Sequence, residues 1–352
     1  MNTDIATVRK GEELNEKKLL EFLNSRLGPG NSLQISQFPA GSSNLTYLIS
    51  YAGSDYVLRR PPFGNTVNKA HDMQREYSVL SRLSAVYPPA PKPIFLCSDP
   101  AVIGTEFFLM ERRKGLILRG DLPQGGNPTH GTHREICRGF IESLVRLHSI
   151  DPVAAELDSI GHPKGYVRRQ VGGWTDRYTA ARTDEWPGLE RSIDWMLCNI
   201  PVETGRASVI HNDYKFDNVM LDPIDLTKLT TVLDWEMATI GDPMMDLGTT
   251  LAYWMSPDAG QAMMNMPFNP QILMQDVSRA ELVEMYSEAS GRDIGSILFY
   301  YVFGTVKVAV IAQQIFARYK KGHTSDLRFA SFNKFVCALG NIASHAIDTG
   351  KI

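Results

Sequence analysis

Cysteine is scarce in this chain: four residues, Cys97, Cys137, Cys198 and Cys337, lie far apart with no CxxC or other ligand-spaced pair. That spacing argues against both a disulfide framework and a structural zinc site and fits a reducing, cytoplasmic setting. An excess of either charge is lacking too. With 36 basic and 39 acidic residues the formal net charge is -3, so no global field draws in a nucleic acid or an anionic membrane, and neither partner is expected. An anionic ligand has to be met by a local cluster. No internal repeat or low-complexity tract is present, and the polar opening MNTDIATVRKGEELNEKK has no apolar core of a signal peptide. Long apolar runs are missing with one exception, Ile297 to Phe316, which is long enough to tempt a membrane-span reading. It carries Lys307, Gln313 and Gln314, so it is read instead as a buried helix of a large helical lobe. What is present is ample: 352 residues, 43% hydrophobic and 21% charged, can bury two lobes, which excludes disorder and small stapled scaffolds.

The first 111 residues mix helices with short strand-like runs. Glu12 to Leu27 reads as a helix stopped by Gly28-Pro29-Gly30. Leu33 to Phe38, Leu45 to Ser50 and Tyr56 to Arg60 are β-rich and separated by turn clusters, as in an antiparallel meander. A helix is expected over residues 69–86, followed by strands around Ile94 to Cys97 and Phe107 to Glu111. From Arg112 onward long helical patterns dominate, broken by two strand-like pieces, Ala207 to Ile210 and Leu229 to Leu233, that run straight into acidic residues. Ser278 and Glu281 form a candidate capping box.

The segment His211-Asn212-Asp213-Tyr214-Lys215-Phe216-Asp217-Asn218 carries the most chemistry. It is a polar loop pinned between the apolar runs SVI and VML, so several ligating side chains can point to one place. Asp234 follows 21 residues after Asp213, at the end of another strand-like run. Such a set suits phosphoryl transfer: one carboxylate orients a hydroxyl and takes its proton, while an Asp and an Asn hold magnesium on nucleotide phosphates. Lys215 is placed to contact the migrating phosphate.

At these residues the sequence resembles the aminoglycoside phosphotransferase and choline kinase family, whose catalytic loop reads H-x-D-x-x-x-x-N. His211, Asp213 and Asn218 fit that pattern; Asp234 stands where the second magnesium ligand is expected, with Gly241-Asp242-Pro243 and Asp246 downstream. The resemblance implies an α+β, protein-kinase-like two-lobed fold: a small antiparallel sheet lobe for the nucleotide, residues 1–111, and a larger helical lobe for catalysis and substrate, residues 112–352. It implies ATP and magnesium as cofactors, Asp213 as base, Asn218 and Asp234 as metal ligands, His211 as support for the loop, and a structural role for Asp246 as acceptor of loop amides. Asn212 departs from the pattern, since Gly is frequent there.

In the nucleotide half, the turn containing Ser42, Ser43 and Asn44 lies where the phosphates are covered, with one Gly rather than three. The third strand carries Arg59 and Arg60 where kinases have a lysine. Arg59 shares a face with Val57 and has Glu76 as expected partner, and Arg60 is the alternative. Met110, Glu111 and Arg112 stand at the expected adenine-binding hinge, although a methionine there also serves as core filler. A further resemblance, over Gly165 to Trp174 and Asp242 to Trp254, is to the kinase-like domain fused to certain acyl-CoA dehydrogenases, here expected as a standalone unit. It points to a hydroxyacyl-CoA acceptor. Residues 164–182 carry Lys164, Arg168, Arg169, Arg177 and Arg182 against one acid, Asp176, a balance that favours an anionic acceptor over an aminoglycoside. Arg169 and Trp174 are the expected substrate contacts. Two other readings compete: a nucleotide-binding regulatory protein without turnover, and a metal-dependent hydrolase built on His211, Asp213 and Asp234. The sequence leaves the oligomeric state open.

Overall fold

The computed structural model describes residues 4–39, 44–63, 72–119, 129–203, 205–255, 259, 261–264, 269–324 and 326–352. The chain divides into two compact units, Met1–Lys114 and Gly115–Ile352.

In the first unit, five strands, β1 (Leu33–Gln37), β2 (Leu45–Tyr51), β3 (Ser54–Arg60), β4 (Pro93–Cys97) and β5 (Phe107–Glu111), form one antiparallel sheet in the order β1-β2-β3-β5-β4. The β2–β3 hairpin turns on Ala52 and Gly53, both at positive φ, so the pairing Tyr51↔Ser54 continues to Leu45↔Arg60. Among the described residues three helices accompany it: α1 (Glu16–Leu27), α2 (Met73–Val86) and the one-turn α3 (Pro100–Ile103). The first starts four residues later than its apolar pattern, because the Asn15 side chain accepts the Lys18 amide and caps it. Asp72 caps α2 in the same way. Leu19 and Leu23 from α1 pack with Tyr47, Ile49, Leu58, Phe107 and Leu109 from the sheet to form this unit's core.

The second unit holds nine helices among its described residues: α4 (His130–His148), α5 (Tyr166–Ala181), α6 (Pro187–Cys198), α7 (Pro243–Tyr253), α8 (Gln261–Met264), α9 (Gln271–Asp276), α10 (Arg279–Ser290), α11 (Ile297–Lys320) and α12 (Phe332–Thr349). The Ser278–Glu281 capping box opens α10 as its sequence predicts. The apolar run that resembles a membrane span is α11, most of it buried between α7, α12, α5 and α6. It meets α7 at a glycine pair: a Cβ on Gly304 would lie 2.2 Å from the Gly248 carbonyl oxygen, and one on Gly248 would lie 2.1 Å from the Tyr300 carbonyl oxygen. Only glycine allows the two backbones to approach so closely.

Two short antiparallel pairs complete the unit: β6 (Ser208–Ile210) with β9 (Thr239–Gly241), and β7 (Val219–Leu221) with β8 (Leu229–Val232). Each presents one catalytic-loop flank to the segment that ends in an acid. Val219 pairs with Val232, and the Leu233 amide donates to the Asn218 carbonyl at 2.7 Å, so Asp234 begins where the loop ends.

Candidate active site

The loop between β6 and β7 keeps its polar residues together because its aromatic ones are anchored. Tyr214 and Phe216 are buried against Phe140 of α4; the Tyr214 hydroxyl donates to the Phe140 carbonyl, and the Phe216 ring stacks at 4.2 Å. The intervening residues therefore face the other way. Asp213 Oδ2 accepts from Lys215 Nζ at 2.8 Å and from Asn218 Nδ2 at 2.9 Å, and Asn218 Nδ2 also donates to the Asp213 carbonyl. Three sequence-predicted residues thus form one hydrogen-bonded group. His211 braces it from behind: its Nδ1 accepts the Asp213 amide at 3.2 Å and its Nε2–H donates to the Leu233 carbonyl at 2.8 Å. That pairing assigns the neutral Nε2–H tautomer and ties the loop to the residue before Asp234.

Asp246, on the first turn of α7, is the keystone its position implies. Oδ2 accepts the His211 amide at 2.6 Å and Oδ1 the Asn212 amide at 2.8 Å. Burial pushes this carboxyl up, but His148 and His211, the latter also through its amide, outweigh burial and hold it below the usual range. His148 lies with Nε2 3.3 Å from Asp246 and Nδ1 2.8 Å from the Tyr286 hydroxyl; burial keeps its pKa below the ordinary histidine value, which favours the neutral ring donating Nε2–H to Asp246. Asn212 occupies φ +67°, which explains why glycine suits that position. Asp234 is also left-handed, at φ +66°. Such strain persists only where surrounding contacts dictate it.

Lys215 is partly buried, and its Nζ lies 4.7 Å from the Tyr253 ring centroid. Burial presses its pKa down, but Tyr253, Asp213 and Asp217 more than compensate and raise it. The Tyr253 hydroxyl lies within hydrogen-bonding reach of Asp213 and Lys215, and burial pushes that phenol up. The donor types suit a hard cation: Asn218 commits its NH2 to Asp213, which leaves its Oδ1 as the acceptor it can offer, and the strand β8 that runs into Asp234 is paired with the strand that follows Asn218. Among the described residues no group of three or more His, Cys, Asp or Glu side chains has metal-holding geometry, so a cation here would need substrate oxygens to complete its shell.

In the first unit the two arginines have different partners. Arg59 Nε lies 3.4 Å from Glu76 Oε2, with 10% and 2% of the two side chains exposed. Arg60 points elsewhere, with Nε donating to the Pro61 carbonyl and its guanidinium 3.6 Å from the Phe63 ring centroid. Asn44 is buried at the start of β2; Ser42 and Ser43 lie outside the described residues. Met110 is a buried strand residue paired with Val57 and Pro93. The Glu111 amide donates to the Lys92 carbonyl and its side chain accepts the Lys92 amide, while Arg112 pairs with Asp4 and Asp55. These groups already have protein partners, which limits what the expected hinge offers a ligand to its remaining backbone atoms.

The structure does not unite Arg169 with Trp174. Five residues apart on α5, they diverge by about 140°; Arg169 donates to the carbonyls of His162 and Lys164, whereas Trp174 is buried. Arg177, one turn on, lies over the Trp174 ring at 4.8 Å. Sequence reasoning also passed over Tyr166, whose hydroxyl donates to Asn212 Oδ1 at 3.1 Å, and over Lys307 of α11, whose Nζ donates to the Asn212 carbonyl. Lys307 was visible as the one charge in the middle of an apolar helix.

A five-stranded antiparallel sheet carrying a buried Arg–Glu pair, and a helical unit carrying an H-x-D loop beside a strand-end Asp, define a phosphotransferase of protein-kinase-like fold. The chain belongs to the phosphotransferase enzyme family (APH), whose match covers residues 34–296. It is similar to human acyl-CoA dehydrogenase family member 11, at 33% identity over 92% of this chain and 42% of that protein, and to mouse acyl-CoA dehydrogenase family member 10, at 32% identity over 96% of this chain and 31% of that one. The chain thus spans well under half the length of these curated relatives. Among solved structures it is similar to a candidate aminoglycoside phosphotransferase from Ralstonia eutropha, with a TM-score of 0.80 and 27% identity over 96% of this chain and 99% of that one. Choline kinase from Cryptosporidium parvum shares the fold, with a TM-score of 0.62 and 13% identity over 96% and 97% of the two chains. The chain is thus a phosphotransferase-family domain of protein-kinase-like fold.

Proposed function

We propose that the protein transfers the γ-phosphoryl group of ATP to a hydroxyl of a hydroxyacyl-CoA. The observation that carries the phosphotransfer chemistry is the Asp213 carboxylate, fixed by Lys215 and Asn218 in a loop that His211 and Asp246 hold from behind. In this reading the acceptor oxygen attacks the γ-phosphorus, its proton passes to Asp213, and the bond to the β,γ-bridging oxygen breaks to release ADP. Lys215 steadies Asp213 and offsets charge on the phosphoryl oxygens. Magnesium, held by Asn218 Oδ1 and Asp234, would neutralise phosphate charge and orient the phosphoryl group. Arg59, kept in place by Glu76, is the first unit's cation for the nucleotide.

The acyl-CoA part of the reading rests on the named relatives, which are acyl-CoA dehydrogenase family members, and on the cationic helix α5. Arg182 is paired with Glu190 and Arg169 with backbone carbonyls, so Arg177 beside Trp174 replaces Arg169 as the candidate contact for a phosphate on the acceptor. The experiment is ATP consumption measured with hydroxyacyl-CoAs, aminoglycosides, choline and sugars. Turnover is expected with a hydroxyacyl-CoA and should fall by about 10²- to 10⁴-fold in Asp213→Asn, with ATP affinity little changed. ATP binding with no consumption on any acceptor would refute turnover, and activity confined to the other acceptors would refute the acyl-CoA assignment.

A further inference from the structure

Lys307 is 2% exposed in the central, mostly apolar part of α11, a costly place for an ammonium group. Its location is set by the Gly248–Gly304 crossing, which draws α11 onto α7 one turn before Lys307. Its Nζ donates to the carbonyl oxygen of Asn212 and lies 5.7 Å from the Trp174 ring centroid. Asn212 is held at every polar atom: its amide by Asp246, its side-chain oxygen by Tyr166, its side-chain nitrogen by the Met237 carbonyl, and its carbonyl by Lys307. Asparagine resists the left-handed conformation far more than glycine does, so these four contacts are what keep the turn before Asp213 in its shape.

We propose that Lys307 is a positioning residue for phosphoryl transfer, clamping the Asn212 carbonyl so that the left-handed turn aims the Asp213 carboxylate. The inference rests on the reading of Asp213 as the base. The charged groups facing the ammonium are Asp213 and Lys215 from the loop, Asp246 from α7 and Arg177 from α5; burial outweighs the two carboxylates and brings Lys307 down to about 8. Opposite trends with pH follow. The clamp loses its charge as pH rises through about 8, so turnover falls there. Between about 8 and the unfolded value of 10.5 the unfolded chain binds the extra proton, so stability rises over the same window.

The test uses the full chain with Lys307→Met, which keeps length and removes the donor. Amide hydrogen exchange at residues 211–213 should accelerate at least tenfold while exchange in α11 and α12 stays unchanged. kcat should fall about 10- to 100-fold with KM for ATP within about twofold, and the alkaline fall near pH 8 should disappear. Unchanged exchange at 211–213, or a wild-type kcat in the folded variant, would overturn the proposal. If Lys307→Met does not fold, Lys307→Arg serves: it should keep turnover and move the alkaline fall upward, and a fall that stays near pH 8 overturns the proposal. A wild type without phosphotransfer would sink the functional reading alone, since the exchange measurement still judges the clamp.

Discussion

Replacing Asp246 with asparagine tests whether the catalytic loop is held by one buried carboxylate. Asp246 is fully buried and offers two oxygens to two amides, those of His211 and Asn212. Asparagine has one carbonyl oxygen, so one amide would face an NH2 group in a site closed to water, and the other would lose its ionic acceptor. Hydrogen bonds to a charged group contribute about 1.5–3 kcal/mol each. Losing one outright and weakening the other amounts to about 3 kcal/mol. For a unit of this size that lowers Tm by about 6–12 °C. Turnover should fall further than the folded fraction, by about 10- to 100-fold, because His211 and Asn212 flank Asp213 on its N-terminal side and their displacement moves the base. Calorimetry with steady-state kinetics at a temperature where the variant is fully folded separates the two effects. A Tm within about 2 °C of wild type would refute the buried-acceptor argument, and a destabilised variant with wild-type turnover would refute the link to Asp213.

Two further outcomes follow from the other buried charges. Removing either member of the Arg59–Glu76 pair strands a buried charge and should cost about 3–5 kcal/mol, whereas the double variant Arg59→Met, Glu76→Leu should recover most of that stability without recovering nucleotide affinity; calorimetric titration with an ATP analogue checks the second half, and full affinity in the double variant would remove Arg59 from the nucleotide site. On the acid side, His148 folds as a neutral base with a lowered pKa, so stability is full above about 6.5 and is lost as pH falls below it. Asp246, a lowered acid, adds a loss only below about 3.8. Urea midpoints between pH 7 and 4 should therefore decline in the wild type and decline less in His148→Asn, and parallel declines would count against the neutral histidine.

What the sequence disclosed and what it hid divide by the range of the contact. The H-x-D loop was legible because apolar runs bracket a dense polar segment, and the strand-end position of Asp234 was legible because SVI and LTTV read as strands. Alternation favoured Arg59 over Arg60 but left both open, because only the packed helix shows that Glu76 meets Arg59. β9, Thr239-Ile240-Gly241, was invisible because a single apolar residue makes no run, yet it pairs with β6, which leads into the loop. Choosing Arg169 failed on helix phase: adjacency to Gln170 and nearness to Trp174 in sequence say little when five residues turn the chain by more than a third of a circle. Lys307 stands furthest from local reasoning. Its partner is a backbone carbonyl 95 residues away, and no side-chain pattern at position 212 announces that its carbonyl needs a donor. The only signal was a misfit, a lysine in a helix otherwise built for burial. A misfit of that kind identifies where a fold accepts an energetic cost, and the crossing at Gly248 and Gly304 shows where the cost is directed: onto the turn that carries the base.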